Sequence, residues 1–325
     1  MPNQMTPSQA RVVDPVLTTF AHGYVHPQMV GEALFPTVDV NQRGGQVIKF
    51  DRRSFQLYNS LRAPGGSTKR VQVGYTSDSY GLFNHSLEGM VPDELLIDAQ
   101  EAPNVDLGRE AVGEVMDILM LRLEYDRAQV GRDASNYDAD HKETVAAADQ
   151  WSDPTSPDPR IIVRDASQVI RRSIGIRPNT LLLSAQAFDA AADHPKVKEQ
   201  FKYTSSDSIT ADMLANYFFG TGGGDGQPRG QILVGDAVYA EGDDEDAQMV
   251  DVWGKDGILA YVPMRDGQSR RRPSYGYTYT LRNHPVVEEG YRDRNAKSWI
   301  YPVTLDRSPE LTSMEAGYLI QSLVA

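Results

Sequence analysis

The chain of 325 residues contains no cysteine. This absence excludes disulfides, thiolate metal sites and cysteine nucleophiles, and it fits a reducing compartment. The sequence also lacks a run of about 18 apolar residues and a charged-then-apolar leader, so we expect neither a membrane span nor a secretion signal. The length predicts about two domains. Hydrophobic residues make up 40% and charged residues 24% of the chain, which is typical of a globular protein.

Basic residues are outnumbered, because 32 Lys and Arg face 45 Asp and Glu, for a formal net charge of -13. No large basic face is available to release counterions from phosphates, which argues against broad nucleic-acid binding. Residues 46–84 are the exception, since six basic residues against Asp51 and Asp78 give +4 and leave -17 on the rest. A basic projection on an acidic body is complementary to another copy of that body.

The sequence of this basic segment predicts a two-stranded arm. Gln46 to Leu57 and Arg70 to Phe83 show partial alternation and flank the turn-forming sequence Ala63-Pro64-Gly65-Gly66, which is typical of a hairpin. A lone hairpin cannot bury its apolar positions on itself, so we expect the arm to need a partner. Head-to-tail contacts of this kind build rings or open lattices.

A long amphipathic helix is predicted from Asn104 to Arg132, with Asp106 and Glu110 suited to its positive end. Its apolar stripe comprises Val112, Met116, Leu119 and Leu123, broadened by Val115, Ile118 and Tyr125. About 29 residues at roughly 1.5 Å each give a rod of about 43 Å. We expect a spine that lies across a sheet.

The remaining segments alternate between helix and strand. Residues 1–45 read as an extended arm with one short helix near Gln28 to Leu34, and Asp149 to Pro159 reads as a linker-like break. Further helices are predicted at 165–174, at 188–201 with an interruption at His194-Pro195, and at 210–219. Strands are predicted at 180–183, 231–234, 248–253, 258–262, 275–281 and 299–304. This order favours an α+β fold.

The glycine-rich stretch Gly220 to Gly230 is the strongest candidate for a nucleotide site and hence for a nucleotide-dependent enzyme. No Gly-Lys-Ser/Thr follows it, and it lies after a helix and before a strand, the reverse of the order that aims backbone amides at a phosphate. We therefore interpret it as a flexible surface loop.

Other chemical candidates are weaker. The acidic run Glu241 to Asp246 lacks EF-hand spacing and reads as a solvated turn, while His22 and His26 are separated by Gly23, which disfavours a helical metal pair. Neither Ser184 nor Ser274 lies in a nucleophile motif. We predict no enzyme activity and no catalytic, cofactor-binding or metal-binding residues. Three consecutive arginines remain as a candidate contact to phosphate or to an acidic neighbour: Arg270, Arg271 and Arg272.

The order of arm, basic hairpin, spine helix, mixed body and returning strands resembles the major capsid protein of tailed double-stranded DNA bacteriophages, the HK97-like fold. Local sequences from Asp14 to the end carry the resemblance. They are Asp14-Pro15-Val16-Leu17, Ala21-His22-Gly23-Tyr24, Gly31-Glu32-Ala33-Leu34-Phe35-Pro36, Arg177-Pro178-Asn179-Thr180, Phe201-Lys202-Tyr203, Val234-Gly235-Asp236-Ala237-Val238-Tyr239, Trp253-Gly254, Ser274-Tyr275-Gly276-Tyr277-Thr278 and Glu315-Ala316-Gly317-Tyr318-Leu319.

The resemblance implies a division of the chain. Residues 1–45 would be the N-terminal arm, 46–85 the E-loop that lies over a neighbouring subunit, 86–160 the P-domain with the spine helix at 104–132, 161–263 the A-domain, and 264–325 returning strands that belong mainly to the P-domain. The intersubunit contacts of the E-loop would include Arg52, Arg53, Arg62, Lys69 and Arg70.

The implied function is structural, as a subunit that self-assembles into the pentamers and hexamers of an icosahedral head around packaged double-stranded DNA, which it does not bind sequence-specifically. Only about 45 residues precede the hairpin, so a separate scaffolding protein is expected, with a portal protein and a decoration protein as further partners. Assembly would take place in the host bacterial cytoplasm, and the product would be the virion. An encapsulin-type nanocompartment shell is the alternative with the same fold.

Overall fold

The computed structural model describes residues 13–24, 29–49, 61, 76–99, 106–202, 209–220, 229–242, 247–263 and 274–325. Within these residues, helices and mostly antiparallel strands form two sheets and two separate hairpins. The expected α+β class is confirmed.

The elements are numbered along the chain. The helices are α1 (Pro15–His22), α2 (Gly31–Leu34), α3 (Asp93–Ala99), α4 (Leu107–Arg132), α5 (Pro159–Ile174), α6 (Ala185–Asp193), α7 (Pro195–Phe201) and α8 (Ala211–Phe219). The strands are β1 (Thr37–Val40), β2 (Gly44–Lys49), β3 (Thr76–Gly81), β4 (Phe83–Pro92), β5 (Lys142–Thr144), β6 (Thr180–Ser184), β7 (Gln231–Gly235), β8 (Val238–Glu241), β9 (Gln248–Asp251), β10 (Gly257–Ala260), β11 (Gly276–Leu281), β12 (Val286–Val287), β13 (Tyr291–Asp293), β14 (Ser298–Leu311) and β15 (Gly317–Gln321).

The first sheet is organised by the 14-residue strand β14, which pairs with β4, β11, β12 and β13. Helix α4 lies on this sheet. Its buried stripe of Val112, Val115, Met116 and Leu119 packs with Val303 and with α1 into one apolar core. A Cβ atom on Gly89 of β4 would come within 2.9 Å of the Ala111 carbonyl oxygen, so glycine permits this close approach of strand to helix.

The second sheet has the order β5-β15-β10-β6-β7 and carries the larger core. Its central strands β6 and β10 are buried along their whole length, as expected for strands covered on both faces. Helix α5 packs on it through Val163, Ala166 and Ile170. Because β15 belongs to this sheet and β11 to β14 belong to the first, the last segment of the chain contributes to both sheets.

The first 45 residues contain more helix than the sequence predicted. Only one short helix near Gln28 to Leu34 was expected, but α1 forms as well as α2. Asp14 caps α1 by accepting hydrogen bonds from the N–H groups of Val16 and Leu17 at 2.8 and 3.0 Å, and Pro15 occupies the first helical position. Asp-Pro therefore starts a helix here, in a segment that we expected to be extended.

Other boundaries also differ from the predictions. The spine begins at Leu107 and not at Asn104, because Asp106 is non-helical and caps the helix by accepting from the Arg109 N–H. Ile118 does not broaden the buried stripe, since it is 52% exposed. The linker-like break predicted at 149–159 is anchored in the core by Trp151. This residue is buried, and its backbone N–H donates to the Leu323 carbonyl at 2.8 Å.

Candidate assembly surface

The predicted arm has a paired base. Strands β2 and β3 are antiparallel, in a register that runs from Gly44 opposite Gly81 to Lys49 opposite Thr76, which confirms the strand pairing for this part of the hairpin. The tip and the five contact residues assigned to it, Arg52, Arg53, Arg62, Lys69 and Arg70, lie outside the described residues.

One buried carboxylate attaches the arm to the first sheet. Asp306 on β14 is 1% exposed. Its Oδ2 atom accepts from Nε and Nη2 of Arg43 at 2.8 and 2.7 Å, and its Oδ1 atom accepts from Asn84 Nδ2. Arg43 immediately precedes β2 and Asn84 follows β3, so a single side chain holds both ends of the hairpin.

Two further contacts support this attachment. The rings of Tyr80 on β3 and Tyr279 on β11 stack with centroids 4.6 Å apart and planes inclined by 14°, an offset-stacked geometry that aromatic pairs favour. His284 Nε2 lies 3.7 Å from the Asp306 carboxylate. The base of the arm is therefore fixed to the body by polar and aromatic contacts together.

A second buried junction joins the N-terminal arm to the spine. Glu124 of α4 is fully buried and accepts from the N–H groups of Val30 and Gly31 at the start of α2 and from Trp253 Nε1 at 2.9 Å. Arg127, one turn further on, donates to Thr278 Oγ1 at 3.1 Å and lies 3.9 Å from Glu124. Sequence reasoning missed this pair. Its only signal is that positions 124 and 127 continue the buried stripe of the helix.

Arg307 is another charged side chain between helix and sheet. It is 1% exposed and donates from Nη2 to the Leu119 carbonyl of α4. Burial, with the nearby charge of Arg127, lowers the pKa of Arg307 to about 9. The helix and the sheet are thus joined by buried polar contacts that require a well-defined relative position.

Large apolar side chains remain exposed on the surface near the arm and the spine. The exposed fraction is 67% for Phe83, 58% for Met90 and 52% for Ile118, and Leu95 and Ile97 on α3 are also exposed. Single exposed apolar residues are ordinary, whereas several on neighbouring elements are typical of an interaction surface. This distribution is expected of a subunit that contacts other chains.

The glycine-rich stretch lies between a helix and a strand, as the sequence indicated. Gly220 caps the end of α8 with a positive φ of 71°, and β7 begins at Gln231, so the order is helix, loop, strand. Residues 221–228 lie outside the described part of the chain. The acidic run begins at Glu241, the last residue of β8, which lies opposite Gln248 of β9. Residues 243–246 lie outside the described part of the chain.

The remaining chemical candidates do not assemble into a catalytic site. Ser156 and His194 are buried and in contact, but His194 Nδ1 accepts from the Lys196 N–H, so Nε2 carries the proton and donates to Ser156 Oγ at 3.1 Å. A histidine in this tautomer cannot act as the base for that hydroxyl. Ser184 caps α6 by accepting from the Ala187 N–H at 3.3 Å, and Ser274 donates to the Gly276 carbonyl at 3.4 Å.

The described residues also lack the features of a metal site and of a membrane span. In the part of the chain that the structure describes, no three His, Asp or Glu side chains are grouped so that they could hold a metal ion. No described helix is both long and apolar enough to span a bilayer. The triplet Arg270, Arg271 and Arg272 falls outside the described residues.

Comparisons with known proteins agree with one another. Residues 134–261 match the family model for phage major capsid protein E. The chain is 33% identical over 320 residues to the major capsid protein of Burkholderia phage BcepMu, which covers 97% of this chain and 98% of the relative. It is 42% identical to a phage-related protein of Bordetella bronchiseptica, whose crystal structure superposes with a TM-score of 0.81 over 97% of this chain and 99% of that one.

An encapsulin from Synechococcus elongatus shares the fold at 14% identity and a TM-score of 0.53, over 91% of this chain and 88% of that chain. This likeness concerns the HK97-like fold alone. The relatives at 33% and 42% identity are a phage major capsid protein and a phage-related protein, so an encapsulin shell is the less supported function. The chain belongs to the phage major capsid proteins and is a structural component of the phage virion.

Proposed function

We propose that many copies of this chain form the pentamers and hexamers of a closed icosahedral head that encloses double-stranded DNA. The observation that supports this proposal is the basic arm. Its paired base is anchored on the body by Asp306, and its sequence has a charge of +4 against -17 for the rest of the chain. Such an arm is complementary to the acidic surface of the next subunit.

The contacts of the arm are proposed as ionic. Arg52, Arg53, Arg62, Lys69 and Arg70 lie on the E-loop and meet carboxylates of a neighbouring subunit, while Arg270, Arg271 and Arg272 are a second basic group for a neighbour or for phosphate. Contacts of this head-to-tail type are heterologous, and they close into rings when the rotation between neighbours permits. Family membership supports a ring-based shell.

We assign the N-terminal arm to residues 1–45, the E-loop to 46–85, the P-domain to 86–160 and the A-domain to 161–263, with 264–325 mainly in the P-domain. The first sheet with α4 supports the P-domain assignment, and β6, β7 and β10 of the second sheet with α5 support the A-domain assignment. Strands β5 and β15 of the second sheet lie outside residues 161–263. A role as shell material, and not as an enzyme, follows from membership of a capsid protein family.

The partners beyond the chain itself follow from the family. A separate scaffolding protein, a portal protein and a decoration protein are proposed, and assembly is placed in the cytoplasm of the host bacterium. The packaged DNA is enclosed without sequence-specific contacts, because an acidic wall repels phosphates and does not trap the incoming duplex.

The experiment is charge reversal at the arm in Arg62→Glu/Lys69→Glu/Arg70→Glu. Exposed ion pairs contribute only about 0 to 1 kcal/mol each, so thermal unfolding of the subunit should be nearly unchanged. Particle yield should fall, because the lost contact is repeated around every ring and like charges now meet. A normal particle yield at low salt would show that the arm does not act through charge between subunits.

A further inference from the structure

Four arginines converge at one end of the second sheet. Arg160 and Arg164 project from the first half of α5, Arg177 precedes β6 and Arg229 precedes β7, and together they line a cavity of about 500 Å³. All four are exposed. The chain carries 13 more negative than positive charges, so its overall composition does not explain four arginines in one place.

The local carboxylates do not neutralise this arginine cluster, defined as Arg160, Arg164, Arg177 and Arg229. Asp165 pairs with Arg164 at 2.9 Å, and Asp158 is engaged by the Tyr217 hydroxyl at 2.6 Å. In the described part of the chain, neither Arg177 nor Arg229 forms an ion pair. Two of the four positive charges are therefore left for another molecule.

Helix stability does not account for the cluster. Arg160 lies in the first turn of α5, where the helix dipole disfavours a positive charge by roughly 0.3 to 1 kcal/mol. Its guanidinium lies 5.6 Å from the centroid of the Tyr217 ring, and Phe218 and Phe219 line the same cavity. Arginines beside aromatic rings are typical of protein interaction sites.

An acidic hairpin lies at the opposite end of the same sheet. Strands β6 and β7 are parallel, from Thr180 opposite Gln231 to Ser184 opposite Gly235. The arginine cluster lies before the first residues of these strands, whereas the hairpin of β8 and β9 follows their last residues. Five strand residues separate the two ends of the sheet by about 16 Å, and β8 begins near the end of β7 that is remote from the cluster.

The sequence of this hairpin is complementary to the cluster. Glu241 ends β8 and is exposed, and the connection that follows contains Asp243, Asp244, Glu245 and Asp246. The base of the hairpin is held by the body, because the Tyr239 ring packs edge to face against Tyr125 of α4 at 5.0 Å. A basic cavity at one end of the sheet and the base of a hairpin with an acidic sequence at the other end fit a head-to-tail ring.

We propose that the arginine cluster of one subunit receives the acidic β8–β9 hairpin of the next subunit in the capsomer. The inference rests on the proposed ring assembly and names a contact within it. This contact lies on the second sheet and is separate from that of the basic arm. The partner is a second copy of this chain, recognised by its run of carboxylates.

The test is a reciprocal charge exchange in the full-length chain. Arg164→Glu/Arg177→Glu and Asp244→Arg/Glu245→Arg should each lower particle yield at low salt by about tenfold or more, since like charges are then opposed. Combining all four changes should restore the yield to within about twofold of the unaltered chain. Arg171→Glu/Arg172→Glu is the matched control, because these exposed arginines lie on the last turn of α5 outside the cavity, and its yield should stay near normal.

Thermal unfolding of each variant shows whether the subunit is folded. If charge reversal prevents folding, Arg164→Gln/Arg177→Gln removes the charges without opposing them and should still lower the yield. Normal yield from the cluster variants, or no recovery in the combined variant, overturns the inference. Normal particles with reduced DNA content also overturn it, because the cluster would then face nucleic acid. If the unaltered chain forms no particles even with the scaffolding protein present, the proposed function fails instead.

Discussion

The indole Nε1 of Trp253 donates a hydrogen bond to Glu124 Oε1 at 2.9 Å. These residues are 129 positions apart and connect the spine helix to the segment after β9. Because the same carboxylate also accepts from the N–H groups of Val30 and Gly31, Glu124 joins three regions of the chain. A capsid subunit that must present its arm at a defined angle benefits from such a rigid junction.

Glu124→Ala should lower the free energy of unfolding by about 3 to 5 kcal/mol, since it leaves Arg127 buried without its nearest carboxylate. Chemical denaturation measures this change directly. The control on the same helix is Glu114→Ala, whose exposed side chain predicts a change within about 0.5 kcal/mol. Equal effects from the two variants would contradict a structural role for the buried pair.

Asp306→Ala should loosen the base of the arm more than the body. The change removes the acceptor of Arg43 and Asn84, so amide hydrogen exchange in β2 and β3 should become faster while exchange in β6 and β10 stays the same. Arg122→Ala breaks an exposed i,i+4 pair with Asp126 at 2.9 Å and serves as the control. Unchanged exchange in β2 and β3 would show that Asp306 does not hold the arm.

Subunit stability should depend on the protonation of His194. Burial, with the charge of Lys196, lowers the pKa of His194 below its usual value of 6.5, because the neutral ring is held by the Lys196 N–H and by Ser156. A lowered pKa means that the unfolded chain takes up the proton first as the pH falls. The stabilisation of the folded subunit by neutral His194 is therefore complete above about pH 6.5, and it is lost progressively below that pH.

His194→Asn is the matched variant for this prediction, since asparagine also caps a helix and does not titrate. The melting temperature of the unaltered chain should fall more steeply between pH 7.5 and 5.5 than that of the variant. Parallel pH profiles for the two proteins would mean that another group controls the acid response.

Much of the fold follows from local patterns in the sequence. The stripe of Val112, Met116, Leu119 and Leu123 is buried as its spacing indicates, and the interruption at His194-Pro195 separates α6 from α7. Strand β4 was missed as a separate element, because Asn84, Ser86 and Gly89 have low strand propensity. Its ten residues are held by pairing with β14, which is tertiary information.

The polar junctions were beyond sequence reasoning for a related reason. Glu124 and Arg127 continue the buried stripe of the helix, but they are also spaced like a surface ion pair. The packing of α2, Trp253 and Thr278 around them is what makes them buried. Asp306 likewise gains its role from Arg43, which is 263 positions away. Contacts of such long range leave no local pattern, whereas the charge of the arm is visible in the sequence itself.

Electron microscopy of the purified chain, with and without a scaffolding protein, tests the central claim most directly. Hollow closed particles built from rings of five and six subunits are the expected result, because one copy can neither bury its arm nor neutralise its arginine cluster. The contrary result is a stable monomer by light scattering at high concentration, with the scaffolding protein present and at low and high salt. That outcome would contradict assembly through the arm.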